Sequence, residues 1–258
     1  MRIGLQRIAL LAPGLNGWEA ARPILAGERA WAEQALDKPV PQSLKAGTRR
    51  RTTNTIKFAV LLAEQALAEA ARAPTALVFA SAAGDADITD SLCDALAQPG
   101  RPVSPTQFHN SVHNAPAGYQ ALASGSRAPS SSVAAGDASF AAGLLEAATT
   151  VLAERAPVLL LAYDWAGPRR LAERSGIHQS FGLALLLSPE PGPWRLDLDP
   201  PAVAEADTCA DAGLEGLRQA NPIARALPLL QCLAGAGHIA TLPYLGELGL
   251  RVELRREH

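Results

Sequence analysis

A chain of 258 residues that is 48% hydrophobic and 19% charged, with a formal net charge of -2, has the composition of a globular protein with a sizeable core, which excludes global disorder. Lys+Arg 23 against Asp+Glu 25 leaves no electrostatic excess to hold nucleic acid, and the longest apolar runs are far too short to span a membrane. The cysteines Cys93, Cys209 and Cys232 are odd in number and widely spaced, which fits a reducing compartment and no disulfide framework. Arg2 and Arg7 precede an apolar stretch over 8–12, but Pro13 and Gly14 break it at once. It reads as a first strand and a turn rather than a secretory signal, with the protein expected in the cytoplasm. Residues 54–72 read as a helix, with Ile56, Val60, Ala63, Leu67 and Ala70 on one face, Lys57, Glu64 and Glu69 off it, and Pro74 as the stop. Residues 76–81 form a strand apolar on both faces, as in a parallel sheet covered by helices. A strand of small residues spans 130–135 and leads into a helix over 138–154 with few polar positions, which predicts deep burial. Further strands cover 158–164 and 181–188. A proline-rich connection over 189–201 follows, then a helical stretch over 210–232 interrupted near Pro222. The last strand, 249–255, alternates Leu250, Val252 and Leu254 with Arg251, Glu253 and Arg255, the pattern of a half-exposed strand at a sheet edge. This order predicts an α/β fold with a mostly parallel or mixed central sheet flanked by helices, in one domain over 1–258.

The chemistry-bearing segment is 102–164. Its small-residue strand runs through Gly136 and Asp137 into the buried helix. A residue at such a junction sits where unpaired N–H groups and the helix dipole favour negative charge. Enzymes use that position to hold a nucleophilic cysteine as thiolate. Here it carries Asp137, whose bland reading is a helix N-cap.

The same segment carries Ser104-Pro105, then Asn114-Ala115-Pro116-Ala117-Gly118, then Ala128-Pro129-Ser130, then Asp137, in order. Upstream stands the basic turn Arg49-Arg50-Arg51, and downstream the strand over 158–164. In this series the chain resembles the N-terminal half of the β-ketoacyl synthases, members of the thiolase-like superfamily, over about residues 1–188. The resemblance implies a thiolase-like fold, with residues 189–258 as a shortened C-terminal part. The family's nucleophilic cysteine is replaced by Asp137. Its histidine-glycine-threonine motif is missing, since His238 lies in Gly237-His238-Ile239. No catalytic residue, cofactor or metal is therefore expected. An acyl-aspartate would be a mixed anhydride, reactive toward water and disfavoured relative to a thioester, and the donors that stabilise an enolate are missing too.

By resemblance the chain is similar to chain-length factors, and most of all to the short type linked to aryl polyene pigments, through the stretch over 135–146. Such a subunit pairs with a catalytic ketosynthase, as a heterodimer or a dimer of heterodimers, and shapes the tunnel in which an acyl chain on acyl carrier protein grows. The implied interface and tunnel residues are Gln107, Phe108, Val112, His113, Asn114, Ser130, Ser131, Ser132 and Val133. The strand 130–135 would lend a free edge to the partner. Lys45, Arg49, Arg50 and Arg51 form the basic cluster that would steer an acidic carrier protein, against the bland reading of a solvated turn. Two alternatives remain: a malonyl-carrier decarboxylase or thioesterase using Asp137, and a self-associating module that binds acyl carrier protein.

Other features have plainer readings. Ser139 is a first-turn hydroxyl bonding backbone. His109 and His113 would share a helix face, but no third metal ligand is evident and an interface or packing role explains them better. Gly84-Asp85-Ala86-Asp87 with Asp90 lacks the glutamate that closes a calcium loop and reads as a turn entering a helix. Trp18, Trp31, Trp165 and Trp194 are core or interface anchors.

Overall fold

The computed structural model describes residues 1–68, 70 and 73–257. Its strands are β1 (Arg2–Ala12), β2 (Leu15–Asn16), β3 (Ala76–Ala80), β4 (Ser130–Val133), β5 (Val158–Asp164), β6 (Phe181–Ser188), β7 (Trp194–Leu198), β8 (Ala202–Val203), β9 (Ile239–Pro243) and β10 (Leu248–Arg256). The helices are α1 (Trp18–Leu25), α2 (Ala46–Arg49), α3 (Asn54–Leu67), α4 (Ala86–Ala97), α5 (Pro105–Asn110), α6 (Ala115–Ser124), α7 (Ser139–Glu154), α8 (Arg169–Ser175), α9 (Ala212–Gln219) and α10 (Leu227–Gln231). The strands form one sheet in the order β4-β3-β5-β6-β1-β7-β10-β8, with β2 beside β1 and β9 beside β10. β3 pairs in parallel with both β4 and β5, while β5–β6, β6–β1 and β1–β7 are antiparallel. The mixed α/β sheet expected from the sequence is present.

Alternation along the central strands builds the core. In β5, Val158, Leu160 and Ala162 face one apolar cluster, and Leu159, Leu161 and Tyr163 face the other. The first cluster is closed by Phe140, Leu144 and Val151 of α7, by Ile24 and Leu25 of α1, and by α9 and α10. The second is closed by Phe58, Leu62 and Ala66 of α3 and by Ala117 of α6. Each large side chain so buried contributes about 1.5–3 kcal/mol relative to leaving it exposed. Gly143 lets α7 lie close on β3, because a Cβ there would come 2.6 Å from the Ala80 Cβ. That contact fixes the start of α7 over the end of the sheet.

Several boundaries differ from the sequence reading. β1 begins at Arg2 rather than residue 8, because its first residues pair with β7 across Arg2–Asp197 and Leu5–Trp194. β7 lies inside the segment read as a proline-rich connection. The last strand is not at an edge: Val252 pairs with Leu198 on one side and Ala240 on the other. β4 ends at Val133, two residues short, where the chain turns into the bend. α3 starts under the Thr53 cap, whose side chain accepts from Ile56 N, and ends at Leu67. The expected continuation through Glu69, Ala71 and Arg72 lies outside the described residues. The stretch 210–232 is α9, a 3-10 turn over Ile223–Ala226, and α10, broken at Pro222 as expected.

Candidate functional site

The bend after β4 is a 3-10 turn over Gly136–Ala138 that feeds α7. Gly136 sits at φ +55, a conformation glycine adopts without a Cβ penalty. Asp137 occupies the middle of this turn, at the junction expected, but it does not cap the helix. The N-cap is Ala138, with no side-chain cap bond. The tight turn moves the helix start past Asp137, and Ser139 ties the bend instead. Its Oγ donates to Gly136 O at 2.7 Å and accepts from Ala135 N at 2.9 Å. The Asp137 carboxylate turns outward, 62% exposed, and accepts from Arg225 Nη2 at 3.1 Å. Arg225 comes from the 3-10 turn before α10 and was missed in the sequence, where no local pattern links positions 88 residues apart.

No cysteine stands in this strand–turn–helix unit. Cys93 is exposed on α4. Burial pushes the Cys209 thiol up to about 12, and burial also raises Cys232, so neither is held as a thiolate.

The residues expected to face a partner lie on α5, the turn after it and β4. Phe108 is 63% exposed and Val112 46%, and Leu122 of α6, not foreseen, is 75% exposed. Ser104 caps α5, accepting from Gln107 N at 3.4 Å. Gln107 is half-buried and Asn114 exposed. His113 is half-buried, with Nε2 2.9 Å from Ser81 O. α5 ends at Asn110, so His109 and His113 do not share a helix face. Among the described residues no group of three or more His, Cys, Asp or Glu is placed to hold a metal. On β4, Ser130 is exposed and Ser131, Ser132 and Val133 are half-buried; among the described residues β3 is the only strand beside it, which leaves the other edge open.

The basic cluster lies on and around α2. Lys45, Arg50 and Arg51 are exposed, and Arg49 Nη1 donates to Pro41 O at 2.9 Å. Asn110, 3% exposed, ties this cluster to the Phe108 segment. Its Nδ2 donates to Arg51 O at 2.9 Å, and its Oδ1 accepts from Tyr119 OH at 2.9 Å. Nothing in the local sequence marks Asn110 out.

A second feature beyond the sequence reading is a polar knot at the ends of β3 and β5. Asp164 is fully buried and accepts from Ser81 Oγ at 2.7 Å and Ala82 N at 3.0 Å. Burial outweighs these bonds and pushes its pKa up to about 7. Asp85 caps α4, accepting from Ile88 N at 3.1 Å, which settles the calcium-like segment as a helix entry. A terminal Asp on the apolar strand 158–164 was the available signal for this knot. The tryptophans act as anchors: Trp165 stacks edge-on with Phe58 at 5.2 Å, and Trp31 Nε1 donates to Pro13 O at 3.0 Å. A cleft of about 980 Å³ runs along β1 between Trp18, Trp194 and Arg256 and includes none of the expected site residues.

Residues 25–238 match the family described as beta-ketoacyl synthase, N-terminal domain. No curated protein matches the chain. Among solved structures it is similar to the complex of the ketosynthase ApeO with its chain length factor ApeC from Xenorhabdus doucetiae, at 24% identity and TM-score 0.78, over 98% of this chain and 99% of that one. It is similar to the ishigamide ketosynthase/chain length factor at 14% identity and TM-score 0.72, over 100% of each chain. A third likeness is to AntDE:AntF, a type II PKS acyl-carrier protein in complex with its ketosynthase, at 10% identity and TM-score 0.75, over 99% of each chain. At these identities the likeness speaks to the fold. Among the described residues no helix is long and apolar enough to cross a membrane.

Proposed function

The chain belongs to the beta-ketoacyl synthase family, and from that premise we propose that it is a non-catalytic, ketosynthase-like subunit, a chain-length factor. It pairs with a catalytic ketosynthase and shapes the tunnel in which a polyene, polyketide or fatty-acid-like chain grows on acyl carrier protein. One observation carries the reading: the bend that opens the buried helix α7 holds Asp137, with its carboxylate taken up by Arg225. A carboxylate there cannot relay an acyl group as a thioester. The open edge of β4 and the exposed Phe108, Val112 and Leu122 supply a surface on which a second subunit would bury apolar area. The half of that surface contributed by Gln107, His113, Asn114 and Ser130 to Ser132 is polar, as an interface rim is. Lys45, Arg50 and Arg51 would steer an acidic carrier protein toward it.

Co-expression with a cysteine-bearing ketosynthase encoded beside it tests the reading. The expected result is a stable one-to-one complex that elongates carrier-bound chains, with Asp137→Asn leaving the rate unchanged. A chain that ignores that ketosynthase, or that elongates or hydrolyses acyl thioesters alone, would sink it.

A further inference from the structure

Gln120 on α6 is 6% exposed, and its Oε1 is buried with no hydrogen-bond partner among the described residues. It lines a notch of about 10 Å³ between α6 and the β3–β4 end of the sheet, together with Leu77, Phe79, Ser124, Ser126 and Ser130. That volume admits one water-sized group. No wall group is placed to bond the acceptor. Leu77 and Phe79 have no side-chain donor. Ser124 spends its hydroxyl proton on the Gln120 carbonyl at 2.8 Å, while its Oγ accepts from Ser126 N at 3.2 Å. Ser126 Oγ accepts from Ala128 N at 3.1 Å. No charged side chain lines the notch, so a cation entering it would find no counter-charge. Ser130, at its mouth, belongs to the open edge strand β4.

We infer that this notch receives a single neutral hydrogen-bond donor, of the size of a Ser or Thr hydroxyl, from the subunit that docks along β4, and that Gln120 is a specificity-determining contact of that interface. The inference rests on the proposed pairing with a ketosynthase. A docking chain that offers the hydroxyl gains a bond made in a desolvated site. One that lacks it leaves Oε1 stranded.

The experiment follows dissociation of the purified complex with the ketosynthase, using full-length chains. Gln120→Met keeps the volume and removes the acceptor. It is expected to speed dissociation about tenfold without lowering the melting temperature of the free chain. Wild-type dissociation by Gln120→Met means that the notch holds solvent only and overturns the inference, while the pairing survives. Ser132→Pro separates the two failures, because the ladder with β3 runs through residues 129, 131 and 133, which leaves the Ser132 N–H on the open edge for proline to remove. If the complex forms unchanged with Ser132→Pro, β4 is not the docking edge, and both the notch contact and the pairing along this strand are wrong.

Discussion

β3 has a parallel neighbour on each side, and the two could hardly differ more. Every residue of β5 is buried, and its side chains feed apolar clusters on both faces of the sheet. No residue of β4 is fully buried, three of its four are serines, and among the described residues its outer edge is open. The same backbone pairing therefore serves two ends. On one side it closes a core, and on the other it leaves main-chain donors and acceptors facing outward. Stability resides in the first strand, and the proposed recognition in the second.

The sharpest way to break this contrast is to truncate one side chain on each strand. Leu160→Ala in β5 is expected to cost roughly 2–5 kcal/mol of unfolding free energy by urea titration, whereas Ser131→Ala in β4 should stay within about 0.5 kcal/mol. Equal losses would mean that β4 is part of the free chain's core after all.

A smaller, pH-dependent effect probes the polar end of β5. Burial raises the Asp164 pKa from the ordinary 3.8 to about 7. Between those values the folded protein holds a proton that the unfolded chain has released. Asp164 therefore costs stability increasingly as pH rises from about 4 to about 7, and the penalty is complete above that window. Asp164→Asn has no such penalty, so its stability relative to the parent should improve as pH rises through this range. A difference that stays flat from pH 4 to pH 8 in melting temperature would show that the carboxyl does not titrate there.

The smallest effect belongs to the other aspartate. The Asp137–Arg225 pair is exposed on the carboxylate side, so Arg225→Ala should change stability by about 1 kcal/mol or less. A larger loss would make the bend a structural element rather than an accessible one.

Legibility follows the same divide. β5 and β6 are apolar runs bounded by turns, and both occupy the residues read from the sequence. β7 was hidden among prolines, although Trp194, Leu196 and Leu198 alternate with Arg195 and Asp197 in the pattern of a strand. The first residues of β1 were hidden because Arg2 and Gln6 interrupt the apolar pattern that marks residues 8–12. At the bend, the order of short motifs located Asp137, but the tight turn that displaces it from the cap is a matter of backbone angles no composition records. Arg225, Asn110 and Gln120 were invisible for a common reason. Each matters through partners, or a missing partner, set by tertiary packing rather than by local pattern.

The register of β1 has a consequence for biosynthesis. This strand leaves the ribosome long before the strands that flank it, β6 and β7, which begin at Phe181 and Trp194. At translation speeds of about 5–20 residues per second, its edges wait roughly ten to forty seconds for their mates. An apolar ribbon such as Ile8 to Ala12 left open that long invites chaperone capture, and the nascent chain stays aggregation-prone until β6 and β7 have been made.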